Sequence, residues 1–239
     1  VAELQLRHCR LQSPRTHEAT GLTLSSGQAK HCQARGLNAL LKDYKDLKAG
    51  ELGMFNGIVS LGAFEHFCSV EENLADRQED IYRGFFKICA DRLSPGGLLF
   101  LQTMTWGKAV PDHNKFSLQA PPDSSEAILA RMEYLFPGSW LPNGLKQLIA
   151  CASEYFYFIS NNNGRLDYLQ TLKEWSANTR HLWRPRLLPR ALWHGLPLAF
   201  HILTNRRARI QLESIMRGDQ SACFKREIMS HARIFFAKK

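Results

Sequence analysis

Short apolar runs alternate with helical patterns in the first half of the chain. Residues 57–61 are apolar or small, as in a buried strand. Residues 81–93 place their apolar side chains at spacings of three and four, which predicts a helix with one buried face. The SPGG sequence at 94–97 is typical of a helix end followed by a turn, and residues 98–102 form the next predicted strand. This alternation predicts the βαβ units of a parallel sheet.

Further elements are predicted on both sides of this region. Upstream, we expect a helix over residues 26–35, capped by Ser25 or Ser26, between strands at 20–24 and 38–42. The predicted downstream elements are a helix start at 121–128, helices at 143–152 and 168–179, and strands at 155–160 and 233–237. The aromatic run YFYF at 155–158 is expected to lie in the core.

These elements predict an α/β protein with two parts. Residues 1–179 form the predicted core, with a helical insertion at about 105–150. Residues 180–239 form a basic helical region that ends in the last strand.

The positive charge is concentrated in the second part. The net charge of the chain is +9, yet residues 1–179 carry 18 Lys and Arg against 19 Asp and Glu. Residues 180–239 carry 13 against 3. Such asymmetry favours an anionic partner: a membrane surface, nucleic acid or an acidic protein, with a solvated basic face as the alternative. Because Leu and Trp are interleaved with Arg in this region, a membrane surface is favoured and nucleic acid is not expected.

Cysteine usage and hydropathy favour a cytoplasmic protein. The six cysteines are scattered and form no CxxC pair, so we interpret them as reduced thiols without a metal. The first ten residues lack an apolar signal core. No stretch reaches the roughly 18 uninterrupted apolar residues of a membrane span. The expected location is cytoplasmic, with peripheral attachment to a membrane.

A carboxylate and an imidazole follow the predicted strand at 57–61. Glu65 and His66 stand among phenylalanines in FNGIVSLGAFEHF, residues 55–67. Ionising a side chain at such an apolar position is costly unless another group compensates its charge. The pair therefore indicates a binding or catalytic site. The alternative for Glu65 is a structural cap or ion pair. For His66 the favoured interpretation is a structural histidine that bonds neighbouring loops.

Six phrases carry a family resemblance. In chain order they are GLTLSSGQ (21–28), DYKDL (43–47), FNGIVSLGAFEHF (55–67), FFKICADRLSPGGLLFLQTMTW (85–106), FPGSWLP (136–142) and DYLQTLKEW (167–175). Together they resemble the cyclopropane fatty acid synthase-like methyltransferases, the mycolic acid cyclopropane synthase group, which depend on S-adenosylmethionine (SAM). The resemblance implies a Rossmann-like, mostly parallel sheet flanked by helices, with a helical cover over the acceptor.

The resemblance also implies a reaction and a set of site residues. The family transfers the SAM methyl group to a cis double bond of an unsaturated phospholipid or other hydrophobic acceptor, and bicarbonate is thought to remove a proton. The residues at catalytic positions are Glu65, Tyr168, Gln102, Leu61 and His66. Those at SAM-binding positions are Thr23, Gln28, Asp43, Tyr44 and Gly62.

The chain departs from the family pattern at three places, one of which is the stretch between Gln28 and Tyr44, which is shorter than in the family. Residues 1–20 contain no glycine, whereas the family has a glycine-rich loop before GLTLS, and the apolar stripe of residues 1–11 resembles the helix after that loop. We therefore expect the first strand to be missing and the strands beside it to have unpaired edges. Gln102 stands where the cyclopropane synthases carry histidine, and an amide does not titrate near neutral pH.

These departures keep two alternatives open. One is a truncated or catalytically inactive family member that binds lipid or a partner. The other is an N- or C-methyltransferase of a small molecule.

Overall fold

The computed structural model describes residues 18–48, 50–180, 195, 197 and 199–239, without the side chains of 179 and 180. The predicted helix at 1–11 lies outside these residues. The strands are β1 (Thr20–Thr23), β2 (Asn38–Leu41), β3 (Phe55–Leu61), β4 (Leu93–Trp106), β5 (Phe156–Asn163) and β6 (Met229–Lys238). The helices are α1 (Ser26–Gln33), α2 (Val70–Leu74), α3 (Gln78–Arg92), α4 (Ser125–Leu135), α5 (Leu145–Ala152), α6 (Arg165–Arg180), α7 (Arg206–Arg217) and α8 (Asp219–Lys225).

The strands form two sheets. β1 and β2 form a parallel pair, and the larger sheet has the order β3-β4-β6-β5. β3 is parallel to β4, whereas β6 is antiparallel to both of its neighbours. Among the described residues, β1 pairs with β2 alone and β3 with β4 alone, so each has one unpaired edge, as predicted.

The SPGG segment lies inside a strand rather than before it. Phe55 pairs with Leu93, and the next pair along the ladder is Gly57 with Leu98. Residues 94–97 therefore form an irregular bulge, in which Gly96 adopts a φ of 72°. The strand also extends to Trp106, beyond the predicted end at residue 102, because β6 pairs with it along its whole second half.

The last strand is longer and more central than predicted. β6 extends from Met229 to Lys238 and lies between β4 and β5. The basic region thus contributes a strand to the larger sheet. The boundary at residue 179 between the two parts stays a prediction.

The two faces of the larger sheet differ in burial. On the face packed against α3, Leu99, Leu101, Ile234 and Phe236 are fully buried, and the Phe236 ring lies 5.6 Å from that of Phe86. On the other face, Val59 is 63% exposed, Leu98 46% and Phe235 42%. This second face is called the open face below.

The prediction that YFYF lies in the core is wrong for two of its residues. Phe156 is buried, but Tyr157 and Phe158 are exposed. β5 is an outer strand of the sheet, so part of its aromatic surface has no neighbouring element among the described residues.

Four helices form a cover beside the sheet. α4 packs against α7 and α8, and α5 packs against α3. A buried ion pair joins α4 to α8, with Arg131 Nε donating to Asp219 Oδ2 at 2.7 Å. In the described part of the chain, no helix is long and apolar enough to cross a bilayer.

Candidate functional site

The chain leaves the sheet immediately before Glu65. β3 ends at Leu61, and Gly62 turns the chain with a φ of 62°, a conformation that favours glycine. The Gly62 amide donates to the Gln102 carbonyl at 3.1 Å, the last backbone bond between these segments. A 3₁₀ turn, Phe64–His66, then directs Glu65 inwards, where its side chain is buried.

The two oxygens of Glu65 have different environments. Oε1 accepts a hydrogen bond from the Met104 amide at 3.0 Å. The carboxylate thus continues the hydrogen bonding along β4 beyond the point where β3 ends. Oε2 is buried and has no partner among the described residues. Burial raises the pKa of this carboxyl, and the hydrogen bond from the Met104 amide only partly opposes this effect. A cation, a proton or a hydrogen-bond donor would satisfy Oε2.

Tyr168 lies in the electrostatic field of this carboxylate. Its phenol oxygen accepts a hydrogen bond from Gln220 Nε2 at 3.2 Å, and its ring packs 4.8 Å from that of Phe224. Burial raises the Tyr168 pKa, and the negative charge of Glu65 raises it further. The structure thus brings together two predicted catalytic residues that are 103 positions apart in the sequence.

Leu61 and Gln102 lie beside Glu65 at the same end of the strands. They pair directly across β3 and β4. Gln102 is half-buried, and its partner on the other side is Arg233 of β6. Opposed residues of an antiparallel pair share a face, so Gln102 and Arg233 belong to one surface, as do Met104 and His231.

His66 points away from this group despite its place next to Glu65. Its side chain is exposed, and Nδ1 lies 2.8 Å from Ser139 Oγ in another loop. Partial burial lowers its pKa. The hydrogen bond between loops agrees with the structural interpretation given to His66 above.

The predicted SAM-binding residues form two groups. Thr23 donates to Gln28 Oε1 at 2.8 Å. In the second group, Asp43 caps a 3₁₀ turn through the Lys45 amide at 2.9 Å, and the Tyr44 ring lies 4.6 Å from that of Phe67. The Lys42 amide donates to the Thr23 carbonyl, which joins the groups at the carboxyl ends of β1 and β2. Tyr44 connects them to the turn that carries Glu65.

Sequence reasoning missed a polar group on β6 and α6. His231 is buried, its ring lies 5.2 Å from that of Tyr168, and Arg233 Nη1 donates to Asp167 at 2.6 Å. The signal was present in HARIFF, where the polar residues 231 and 233 alternate with the apolar residues 232 and 234. A strand with this alternation places the imidazole and guanidinium on one face.

Comparisons with known proteins found related sequences. The sequence profile of mycolic acid cyclopropane synthetase matches residues 14–186. Cyclopropane mycolic acid synthase 2 of Mycobacterium leprae (strain TN) is 29% identical over 169 residues, which cover 66% of this chain and 52% of that protein. The chain therefore spans about half the length of this curated relative.

Solved structures show the same fold. The cyclopropane synthase MmaA2 from Mycobacterium tuberculosis aligns with a TM-score of 0.62 and 20% identity, over 92% of this chain and 69% of that one. The mycolic acid cyclopropane synthase CmaA1 complexed with SAH and CTAB aligns over the same shares with a TM-score of 0.61 and 22% identity. These likenesses confirm the predicted α/β SAM-methyltransferase fold, and the profile match shows that the chain belongs to the mycolic acid cyclopropane synthetase family.

Proposed function

We propose that this protein transfers a methyl group from SAM to a carbon–carbon double bond of a lipid acyl chain. The observation that carries the proposal is the buried Glu65 carboxylate, whose Oε2 atom has no partner among the described residues. Tyr168 lies in the electrostatic field of this carboxylate. The chain also belongs to a family that modifies lipids. The solved structure of CmaA1 complexed with SAH and CTAB supports this proposal, because it contains a product of SAM together with a long-chain ligand.

The residues present fit SAM. The Oε2 atom of Glu65, which has no partner among the described residues, suits a positively charged neighbour, and the half-buried Tyr44 ring is proposed to stack on adenine. Gly62 leaves open space where a Cβ would otherwise project. Asp43 and Tyr44 would hold the adenosine end, while Thr23 and Gln28 would hold the ribose and methionine portion. SAM, when bound, supplies an electrophilic methyl group on a sulfonium.

Glu65 is proposed to stabilise positive charge on the acceptor. In a site that excludes water, a carboxylate interacts more strongly with a nearby cation than it would in solvent. Its raised pKa also lets the carboxyl hold a proton during the reaction.

Bicarbonate is proposed as a second small ligand of the same site. The Tyr168 oxygen already accepts from Gln220, so its own proton is free to donate to an anion. The Gln102 amide is a further donor from the same end of β4. Both groups are proposed to donate to this anion.

An anionic membrane surface is proposed as the source of the acceptor. Four large apolar side chains of the basic region are mostly exposed: Phe200, Leu203, Ile215 and Met216. Arg206 and Arg207, both exposed, lie between them in the sequence. Each cationic residue near such a surface contributes about 1 kcal/mol of binding free energy. We call these six residues, which are grouped by their exposure and their place in the sequence, the basic apolar patch.

The proposed reaction is tested with methyl-labelled SAM and vesicles of dioleoyl phosphatidylglycerol. Wild type is expected to add labelled carbon to the acyl chains. Glu65→Gln keeps the shape but loses the charge, so its kcat is expected to fall about a hundredfold or more. Glu71→Gln, an exposed residue of α2, is the matched control and is expected to retain the wild-type rate.

Two results would contradict the proposal. The absence of heat at millimolar SAM in calorimetry would indicate a catalytically inactive family member. SAM binding with methyl transfer to a small amine, and none to lipid, would replace the lipid by a small-molecule acceptor.

A further inference from the structure

Gln220 is a half-buried residue of α8 that contacts a proposed catalytic group directly. Its Nε2 atom donates a hydrogen bond to the Tyr168 phenol oxygen at 3.2 Å. A phenol hydroxyl has one proton to donate and an oxygen that can accept. Because the accepted bond comes from Gln220, the Tyr168 proton is left to bond an acceptor elsewhere. The direction of that proton therefore depends on the Gln220 amide.

The start of α8 is fixed to the helical cover. Asp219, the residue before Gln220, forms a buried ion pair with Arg131 of α4. Arg131 donates through Nε and Nη2 to the two carboxylate oxygens, at 2.7 and 2.9 Å. A bidentate pair of this kind fixes the orientation of its partner as well as its position. It thereby holds the backbone next to Gln220 in place.

The end of α8 is fixed to the helix that carries Tyr168. Arg165, three residues before Tyr168 in α6, donates from Nη1 to the Phe224 carbonyl at 2.8 Å. The Phe224 ring packs 4.8 Å from the Tyr168 ring, with 49° between the planes. Gln220 and Tyr168 are thus held at hydrogen-bonding distance by further contacts between the two helices.

A neutral donor suits this position beside the phenol. Burial raises the Tyr168 pKa, and the negative charge of Glu65 acts in the same direction, whereas the hydrogen bond from Gln220 lowers the pKa. A carboxylate at residue 220 would only accept hydrogen bonds, so it would take up the Tyr168 proton itself. An apolar side chain there would leave the hydroxyl free to rotate. The amide instead occupies the phenol oxygen and leaves its proton available.

We propose that Gln220 is a positioning residue that directs the Tyr168 proton towards bicarbonate in the Glu65 site, an inference that rests on the proposed function. Gln220 acts through the Tyr168 hydroxyl and touches no reacting atom itself. Since the phenol oxygen is already occupied, bicarbonate meets a donor whose direction is set before the anion binds. Donors fixed in advance bind an anion more tightly than donors that must reorient. The helical cover thus contributes to the site through α8.

The first test is binding, which needs no turnover. Sodium bicarbonate is titrated into the full chain with isotope-labelled tyrosine, and the Tyr168 ring resonance is assigned by its loss in Tyr168→Phe. In wild type this resonance is expected to shift saturably. In Gln220→Glu and Gln220→Leu the dissociation constant for bicarbonate should rise about tenfold, because one oriented hydrogen bond is lost. Gln170→Glu adds the same charge at an exposed position of α6 and should retain the wild-type affinity.

The outcomes of this titration separate the inference from the function on which it rests. Equal bicarbonate affinity in wild type and in both Gln220 variants would overturn the role of Gln220 alone and leave the bicarbonate site intact. A Tyr168 resonance that does not respond to bicarbonate in wild type would remove the proposed anion, and this inference with it.

The second test follows the phenol and the turnover in the same variants. The Tyr168 pKa, measured by pH titration of its ring resonance, is expected to rise in Gln220→Glu and Gln220→Leu, because the hydrogen bond that lowers it is lost. With dioleoyl phosphatidylglycerol vesicles and subsaturating bicarbonate, kcat should fall about tenfold at unchanged affinity for SAM. Gln170→Glu should change neither quantity. A wild-type pKa and kcat in both Gln220 variants would overturn the inference.

Discussion

Glu65 is proposed to combine a structural and a chemical role. Its Oε1 atom extends the hydrogen bonding of β4, while no residue in the described part of the chain bonds to its Oε2 atom. His66, one position later, instead bonds to Ser139 in another loop. The two neighbours in the sequence therefore differ because the 3₁₀ turn directs one side chain inwards and the other outwards.

His231 is expected to make stability depend on pH. Its pKa is about 4 in the folded protein and near 6.5 when unfolded, so only the unfolded chain gains the proton between these values. The free energy of unfolding should therefore fall as pH decreases from about 6.5 to 4, by roughly 3 kcal/mol at about 1.4 kcal/mol per pH unit. Urea unfolding at several pH values measures this loss.

His231→Phe should lose most of this pH dependence, and His201→Gln should retain it. His66 contributes in the same direction, because burial lowers its pKa as well. Equal slopes in wild type and His231→Phe would show that His231 is not the titrating group.

Sequence analysis identified site residues whose position follows from the sequence around them. It missed residues whose neighbours are determined by the register between paired strands. Glu65 was singled out because it follows a strand whose end could be located from the pattern, whereas Gln102 was identified through the family resemblance alone. His231 was missed because its position depends on pairing with Met104, 127 positions earlier. Strand pairing over such a distance is set by tertiary packing, which one sequence does not reveal.

At the scale of the elements, their existence and type were predicted better than their bounds. Ser25 caps α1, as expected, through the Gln28 amide. β4 and β6 both extend beyond their predicted ends, because each lengthens the other by antiparallel pairing. Local propensity locates a cap, whereas strand length also depends on the neighbouring strand.

The buried ion pair between α4 and α8 is expected to be costly to break. Arg131 makes two hydrogen bonds to Asp219, and both side chains are almost fully buried. Asp219→Asn leaves the guanidinium without its counter-charge, so unfolding free energy should fall by about 3–5 kcal/mol. Chemical denaturation measures the change.

The exposed pair of Arg217 and Glu213 in α7 is the control. Glu213→Gln should cost less than about 1 kcal/mol, because water screens this pair. Similar losses for both variants would mean that burial does not set the strength of the α4–α8 pair.

For the whole molecule, the charge asymmetry and the basic apolar patch point to the same partner. The excess of positive charge is carried by residues 180–239, and the patch lies within this region. The sequence predicted an anionic partner from composition alone. It did not identify the exposed apolar residues, because exposure depends on how α7 packs against α4.

Binding to anionic vesicles is expected to depend on the patch. Co-sedimentation with vesicles of phosphatidylcholine and phosphatidylglycerol should be weakened about tenfold by combining Ile215→Ser with Met216→Ser, which removes apolar area. Leu74→Ser replaces an equally exposed leucine at the end of α2 and is the matched control.

Salt and lipid charge complete this test. Binding should decrease with added salt and with neutral lipid. Binding that is unaffected by both the double variant and lipid charge would contradict the membrane assignment.

The unpaired edge of β3 has a consequence for the protein in solution. Among the residues that the structure describes, no strand pairs with the outer edge of β3, so its amide and carbonyl groups form a template there, and the apolar open face extends from the same strand. Two chains that meet at such edges can continue each other's ladder, and hydrophobic contact would hold them together. Unless another polypeptide segment occupies that edge, crowding will drive these chains into assemblies, and dilution will favour single molecules.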